Sequence, residues 1–127
     1  MSTTVTVYAV SDMTGETVER IVRAASAQFP RDLMAIKVLQ HIQSAEQIVA
    51  FIERQADPGD VAVFHTILSQ RTREDLRQAL QTLRIPSVDL LGSTAHVMAD
   101  LLGVSPHTTP GITIDDGSEP AYFDLGA

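Results

Sequence analysis

The sequence predicts an α/β fold: a doubly wound, four-stranded parallel sheet, Rossmann or flavodoxin-like, in the order 2-1-3-4 with helices on both faces. Three observations predict it. Four short β-branched runs occur along the chain, a segment of helical period follows each, and the links between them are short. Strands joined through helices have to run parallel, because antiparallel neighbours need only a tight turn.

Val5 to Val10 is the first strand, and Val18, Ile21, Val22, Ala25 and Phe29 space the apolar stripe of the first helix. Leu33 to Leu39 is the second strand. The second helix opens at Ser44, where Ser44-Ala45-Glu46-Gln47 has the form of a capping box ahead of Ile48, Phe51 and Ile52; Asp57-Pro58-Gly59-Asp60 stops it. Val61 to Thr66 is the third strand, followed by a helix with Leu76, Ala79, Leu80 and Leu83 on one side. Ser87 to Leu90 is the fourth strand, and the last helix runs from Ser93 to Leu102, stopping at Gly103. Residues 1–104 therefore form one domain, with 105–127 an irregular extension carrying Asp115-Asp116-Gly117.

With 127 residues, 44% of them hydrophobic, the chain fits one core. Its net charge of −7, with Lys37 the only lysine among nine basic residues, disfavours nucleic acid and anionic membranes as partners. Any anion site is small and local. Cysteine is absent, which excludes disulfides and thiolate chemistry. The N-terminus has neither a signal peptide nor a transmembrane run, so a cytoplasmic location is expected.

Open parallel sheets bind ligands beyond the carboxyl ends of their strands, where strand order reverses. Here that is between strands one and three. Ser11, Asp12, Thr14, Gly15, Glu16 and Thr17 form the first loop, a small polar turn that presents unpaired amides at the positive end of a helix. Two readings fit it: a phosphate or carboxylate docks there, or Thr14 caps the helix while Asp12 and Glu16 favour its N-terminus. His65 and Thr66 end the third strand, with Arg71 and Arg73 beyond; they supply a general acid/base and an anion clamp, or His65 bonds a neighbouring loop and the arginines are solvated. Asp89 either orients a ligand hydroxyl or ties down its loop. His41, His96 and His107 read as surface or loop histidines, and no spacing suits a metal. G-x-x-x-x-G-K followed by Ser or Thr, G-x-S-x-G and G-x-G-x-x-G are all absent.

Ser11-Asp12-Met13-Thr14-Gly15-Glu16-Thr17 resembles the S-D-S-T-G-E-T opening of the regulatory proteins of phosphoenolpyruvate synthase and pyruvate, phosphate dikinase, with Met13 in place of serine. The resemblance continues through His65-Thr66, the Arg73-Glu74-Asp75-Leu76-Arg77 helix, Ile85-Pro86, Val88-Asp89-Leu90-Leu91-Gly92 and Leu102-Gly103-Val104-Ser105-Pro106, and weakly through Pro110-Gly111 and Tyr122-Phe123. It implies an ADP-dependent kinase and phosphate-dependent pyrophosphorylase in the full-length family, whose nucleotide loop lies in a second, downstream domain. It implies no cofactor in this chain, and phosphoenolpyruvate synthase or pyruvate, phosphate dikinase as partners. Two functions follow: a regulatory module that binds a small anion or a protein without phosphotransfer of its own, or half of a split enzyme completed by a phosphate-loop domain in trans. A homodimer is a further expectation.

Overall fold

The computed structural model describes residues 5–55, 60–106, 121 and 123. Strands β1 (Val5–Val10), β2 (Met34–Leu39), β3 (Val61–His65) and β4 (Ser87–Asp89) alternate with helices α1 (Glu16–Ser26), α2 (Ala45–Glu53), α3 (Gln70–Thr82) and α4 (Gly92–Leu102). The sheet is parallel throughout and its order is β2-β1-β3-β4, as the sequence predicts. The central strand β1 is buried along nearly its whole length, which explains its continuous apolar run.

Side chains alternate between two cores. Tyr8, Val10 and Val63 point to one face, where Ala45, Ile48 and Ile52 of α2 and Leu76 and Leu80 of α3 cover them. Val7 and Ala9 point to the other, where Val18 and Val22 of α1 meet Ile36, Val38, Phe64 and Leu90. Both faces carry helices, but unequally. Helix α4 shares its concavities with α3 and buries none of its own residues.

That asymmetry corrects the first helical stripe. Only Val18 and Val22 of the five expected residues are buried; Ile21 is 43% exposed, and Phe29 lies beyond the helix at 57%. With α4 on the opposite side, no described helix covers the sheet beside α1, and Ile21, Ala25, Phe29, Met34, Phe64 and Leu90 line an open apolar groove of about 240 Å³. Leu83 likewise falls one residue past α3 and is exposed.

Element ends follow local chemistry. The Ser44 hydroxyl accepts the Gln47 N–H at 3.3 Å, and the Gln47 side chain accepts the Gln43 N–H at 2.7 Å, one residue earlier than a standard capping box. Helix α2 ends at Glu53, ahead of the expected stop, since Arg54 already closes the last turn; Asp57-Pro58-Gly59 lies outside the described residues, as does most of the 105–127 extension. A single 3-10 turn at Arg31–Leu33 takes the first residue expected of β2. Gly103 ends α4 in the left-handed conformation, φ 69°.

Gly15 has no substitute at the start of α1. Its φ is 83°, and a β-carbon there would stand 3.1 Å from Val38 Cγ1. Gly103 has open space around it. Chemical denaturation should therefore show Gly103→Ala costing about 1–2 kcal/mol for the backbone alone, with Gly15→Ala costing more because Val38 must also move.

Candidate functional site

Strand register brings Leu39, Val10, His65 and Asp89 to one level at the carboxyl end of the sheet. The loops that follow are bound to one another through backbone. Ser11 N–H donates to Leu39 O and its carbonyl accepts from Ile42 N–H, while His41 N–H donates to Met13 O at 2.8 Å. His41 adopts φ 54°, a conformation that His tolerates better than most side chains. Thr66 N–H donates to Val10 O, and Leu90 N–H to His65 O.

Asp12 is the main tie in this rim. Its carboxylate accepts the Leu68 N–H at 3.0 Å and the Ser69 N–H at 3.0 Å, across 56 and 57 residues of sequence. Ser69 is itself the N-cap of α3, its hydroxyl accepting from Thr72 N–H. An anion thus sits where the α3 dipole favours one. Asp12 is only 9% exposed, so it is spent on the fold.

Thr14 does not cap α1. The N-cap is Gly15 in the left-handed conformation, and no side chain caps the first turn. Thr14, Glu16 and Thr17 are exposed. The Met13 amide is occupied by Ser11 Oγ at 2.9 Å, whereas the first-turn amides of α1 have no acceptor among the described residues. Glu19 is held by Arg23 at 2.7 Å, leaving Glu16 as the acid nearest that end.

Asp89 ties down its loop, as one of its two sequence readings has it. Oδ1 accepts Leu91 N–H at 3.1 Å and Gly92 N–H at 2.6 Å, and Oδ2 takes Arg73 Nη1 at 3.5 Å. Gly92, not singled out in the sequence, makes this possible: a β-carbon there would stand 2.0 Å from Asp89 Oδ2 and 2.9 Å from Arg73 Nη1. Its sequence signals are its place three residues after an aspartate at a helix start and its membership of the Val88-Asp89-Leu90-Leu91-Gly92 motif. Arg71 projects outward near Asp75 at 4.0 Å, with its side chain 93% exposed, and stands apart from Arg73.

His65 is 3% exposed, and its Nδ1 has no hydrogen-bond partner among the described residues. The Asp89 Oδ1 lies 4.0 Å away, beyond hydrogen-bond range. Burial depresses its pKa below 6.5; Asp89 opposes this, Arg73 reinforces it and Asp12 opposes it. The imidazole is neutral near pH 7. Among the described residues no His/Asp/Glu group is arranged to hold a metal, and no helix is long and apolar enough to cross a membrane.

A parallel sheet in the order β2-β1-β3-β4, with helices on both faces and polar loops at its carboxyl rim, defines an α/β domain of Rossmann-like architecture. Residues 7–124 match the kinase/pyrophosphorylase family, and the chain belongs to it. It is 33% identical over 118 residues to a Listeria welshimeri protein carrying the name pyruvate, phosphate dikinase regulatory protein 1, covering 93% of this chain and 42% of that protein. Relatives bearing the name pyruvate, phosphate dikinase regulatory protein in Geobacter metallireducens and Citrifermentans bemidjiense are 34% and 29% identical over 115 and 113 residues, each match covering 89% of this chain and 42% of the relative. The chain thus spans about two-fifths of the length of the curated relatives it matches.

Replacing Asp12 with alanine strands the Leu68 and Ser69 amides and should cost about 1–3 kcal/mol in urea denaturation, while Thr14→Ala, exposed and unbonded, should change stability by under about 0.5 kcal/mol. The depressed His65 pKa has a definite sign. The unfolded chain takes up the proton more readily, so stability is complete above 6.5 and declines as pH falls below it toward the folded-state value. Thermal unfolding across that interval should show His65→Gln with a flatter profile than wild type.

Proposed function

We propose that this chain is a regulatory module of the kinase/pyrophosphorylase family that binds a small anionic ligand or a protein partner at its carboxyl rim, and that it performs no phosphotransfer alone. The observation that carries the reading is the uncapped start of α1 within a rim otherwise tied by hydrogen bonds. Ser11 and Asp12 hold the loop. Thr14, Glu16 and Thr17 form its outer surface around Gly15, and His65 at the end of β3 and Thr66 just beyond it border the same rim. ADP and phosphate are the ligands that the family's chemistry suggests, and the relatives' names point to pyruvate, phosphate dikinase as the partner. The chain holds no phosphate loop with a lysine and hydroxyl to clamp a nucleotide's phosphates, hence the expectation of binding without transfer.

Calorimetric titration with ADP, AMP, phosphate and pyrophosphate tests the ligand half, and co-sedimentation with pyruvate, phosphate dikinase tests the partner half. Glu16→Gln, which removes the carboxylate closest to the uncapped turn, should tighten anion binding, and Thr17→Glu, which places a competing carboxylate there, should weaken it. No heat with any ligand and no complex with the dikinase would eliminate the proposal.

A further inference from the structure

We infer that the crevice between α3 and α4 is a second anion site, separate from the α1 rim, where a tetrahedral dianion such as a phosphate group displaces Asp89 from Arg73 while His65 takes over as the donor to Asp89. The crevice has a volume of about 560 Å³, with Arg73 and Arg77 on its α3 wall, Ser93 and His96 on its α4 wall and Asp89 between them.

Three observations support an exchange of partners. First, Arg73 is poorly satisfied: its side chain is 22% exposed, and among the described residues its guanidinium makes one hydrogen bond, at the 3.5 Å limit, out of five available N–H donors. A guanidinium fork engages a phosphate through two parallel bonds and gains by the change. Second, the α4 wall opens with the leading turn of a helix, whose dipole favours negative charge. Asp89 uses only the Leu91 and Gly92 amides there. Third, His65 is buried with Nδ1 unpartnered, 4.0 Å from the same Asp89 oxygen that holds those amides. An orphaned buried ring nitrogen costs free energy, and a state that pairs it recovers that cost. If Arg73 turns to a ligand, closing that gap supplies Asp89 with a replacement for the lost cation.

The other charges around the crevice do not prevent this. Glu74 is engaged by Arg77 in an exposed pair that can separate at little cost, and His96 faces Asp100 at 3.4 Å on the α4 surface. The charged groups facing His65 are Asp89 from β4, Arg73 from α3 and Asp12 from the loop after β1. Withdrawing Arg73 removes a cation and leaves both carboxylates, so bound anion raises the affinity of His65 for a proton. By reciprocity the anion binds more tightly as pH falls through the histidine range.

Sulfate is the probe, because it remains a dianion across that range. Titrated into the isotope-labelled chain, it should shift the Ser93 amide and Arg73 Nε resonances and raise the imidazole pKa of His65, with tighter binding at lower pH. Arg73→Gln should weaken binding at the crevice by at least about tenfold, the equivalent of one charged hydrogen bond. Shifts confined to α1, no shift at all, or binding at the crevice that leaves the His65 titration unmoved would each overturn the proposal. The wild-type titration decides even if Arg73→Gln fails to fold. Because α1 and α4 amides are read separately, failure here is distinguishable from failure at the α1 rim.

Discussion

The rim depends on one buried carboxylate. Asp12 follows β1 and accepts the amides that end the β3–α3 connection, 56 and 57 residues later. Parallel sheets tie neighbouring strands by ladder bonds but leave the loops beyond them to other interactions. Here a single side chain sets where α3 starts, and therefore where Arg73 stands relative to β4. Asp89 repeats the device at the next strand, holding the first amides of α4. At these two strand tips a charge is stabilised by a helix start, and that helix start by the charge.

This arrangement changes which residues are free for chemistry. Residues that look reactive in the sequence, Asp12 and Asp89, are occupied by backbone. The unsatisfied groups among the described residues are the first turn of α1, the Arg73 guanidinium and the His65 ring. Gly92 shows how close the packing is, since its missing β-carbon is what lets Asp89 and Arg73 meet.

The two sheet faces are unequal. Tyr8, Ile48, Leu76 and Leu80 make a closed core beneath α2 and α3, while among the described helices α1 alone shields the opposite side. Placing α4 beside α3 creates the polar crevice and leaves the apolar groove by Phe29 and Phe64. One helix position thus accounts for both surface features, and α4 itself presents Val97, Met98, Leu101 and Leu102 to solvent.

Strand number, parallel pairing and the 2-1-3-4 order were all legible in the sequence, because β-branched runs separated by helical periods leave few ways to cover an apolar sheet. So was the collection of Ser11, Asp12, His65, Thr66 and Asp89 at one edge, since each follows directly from the end of a strand. Family membership was legible too, through the ordered motif from Ser11 to Pro106. What each polar group bonds to was not. Whether Asp12 meets a ligand or the Leu68 amide, and whether His65 finds a partner, depends on ångström-scale distances between loops far apart in sequence. The side of the sheet taken by α4 is of the same kind: helical period marks which face of a helix is apolar, but only packing against the neighbouring elements decides where that face goes.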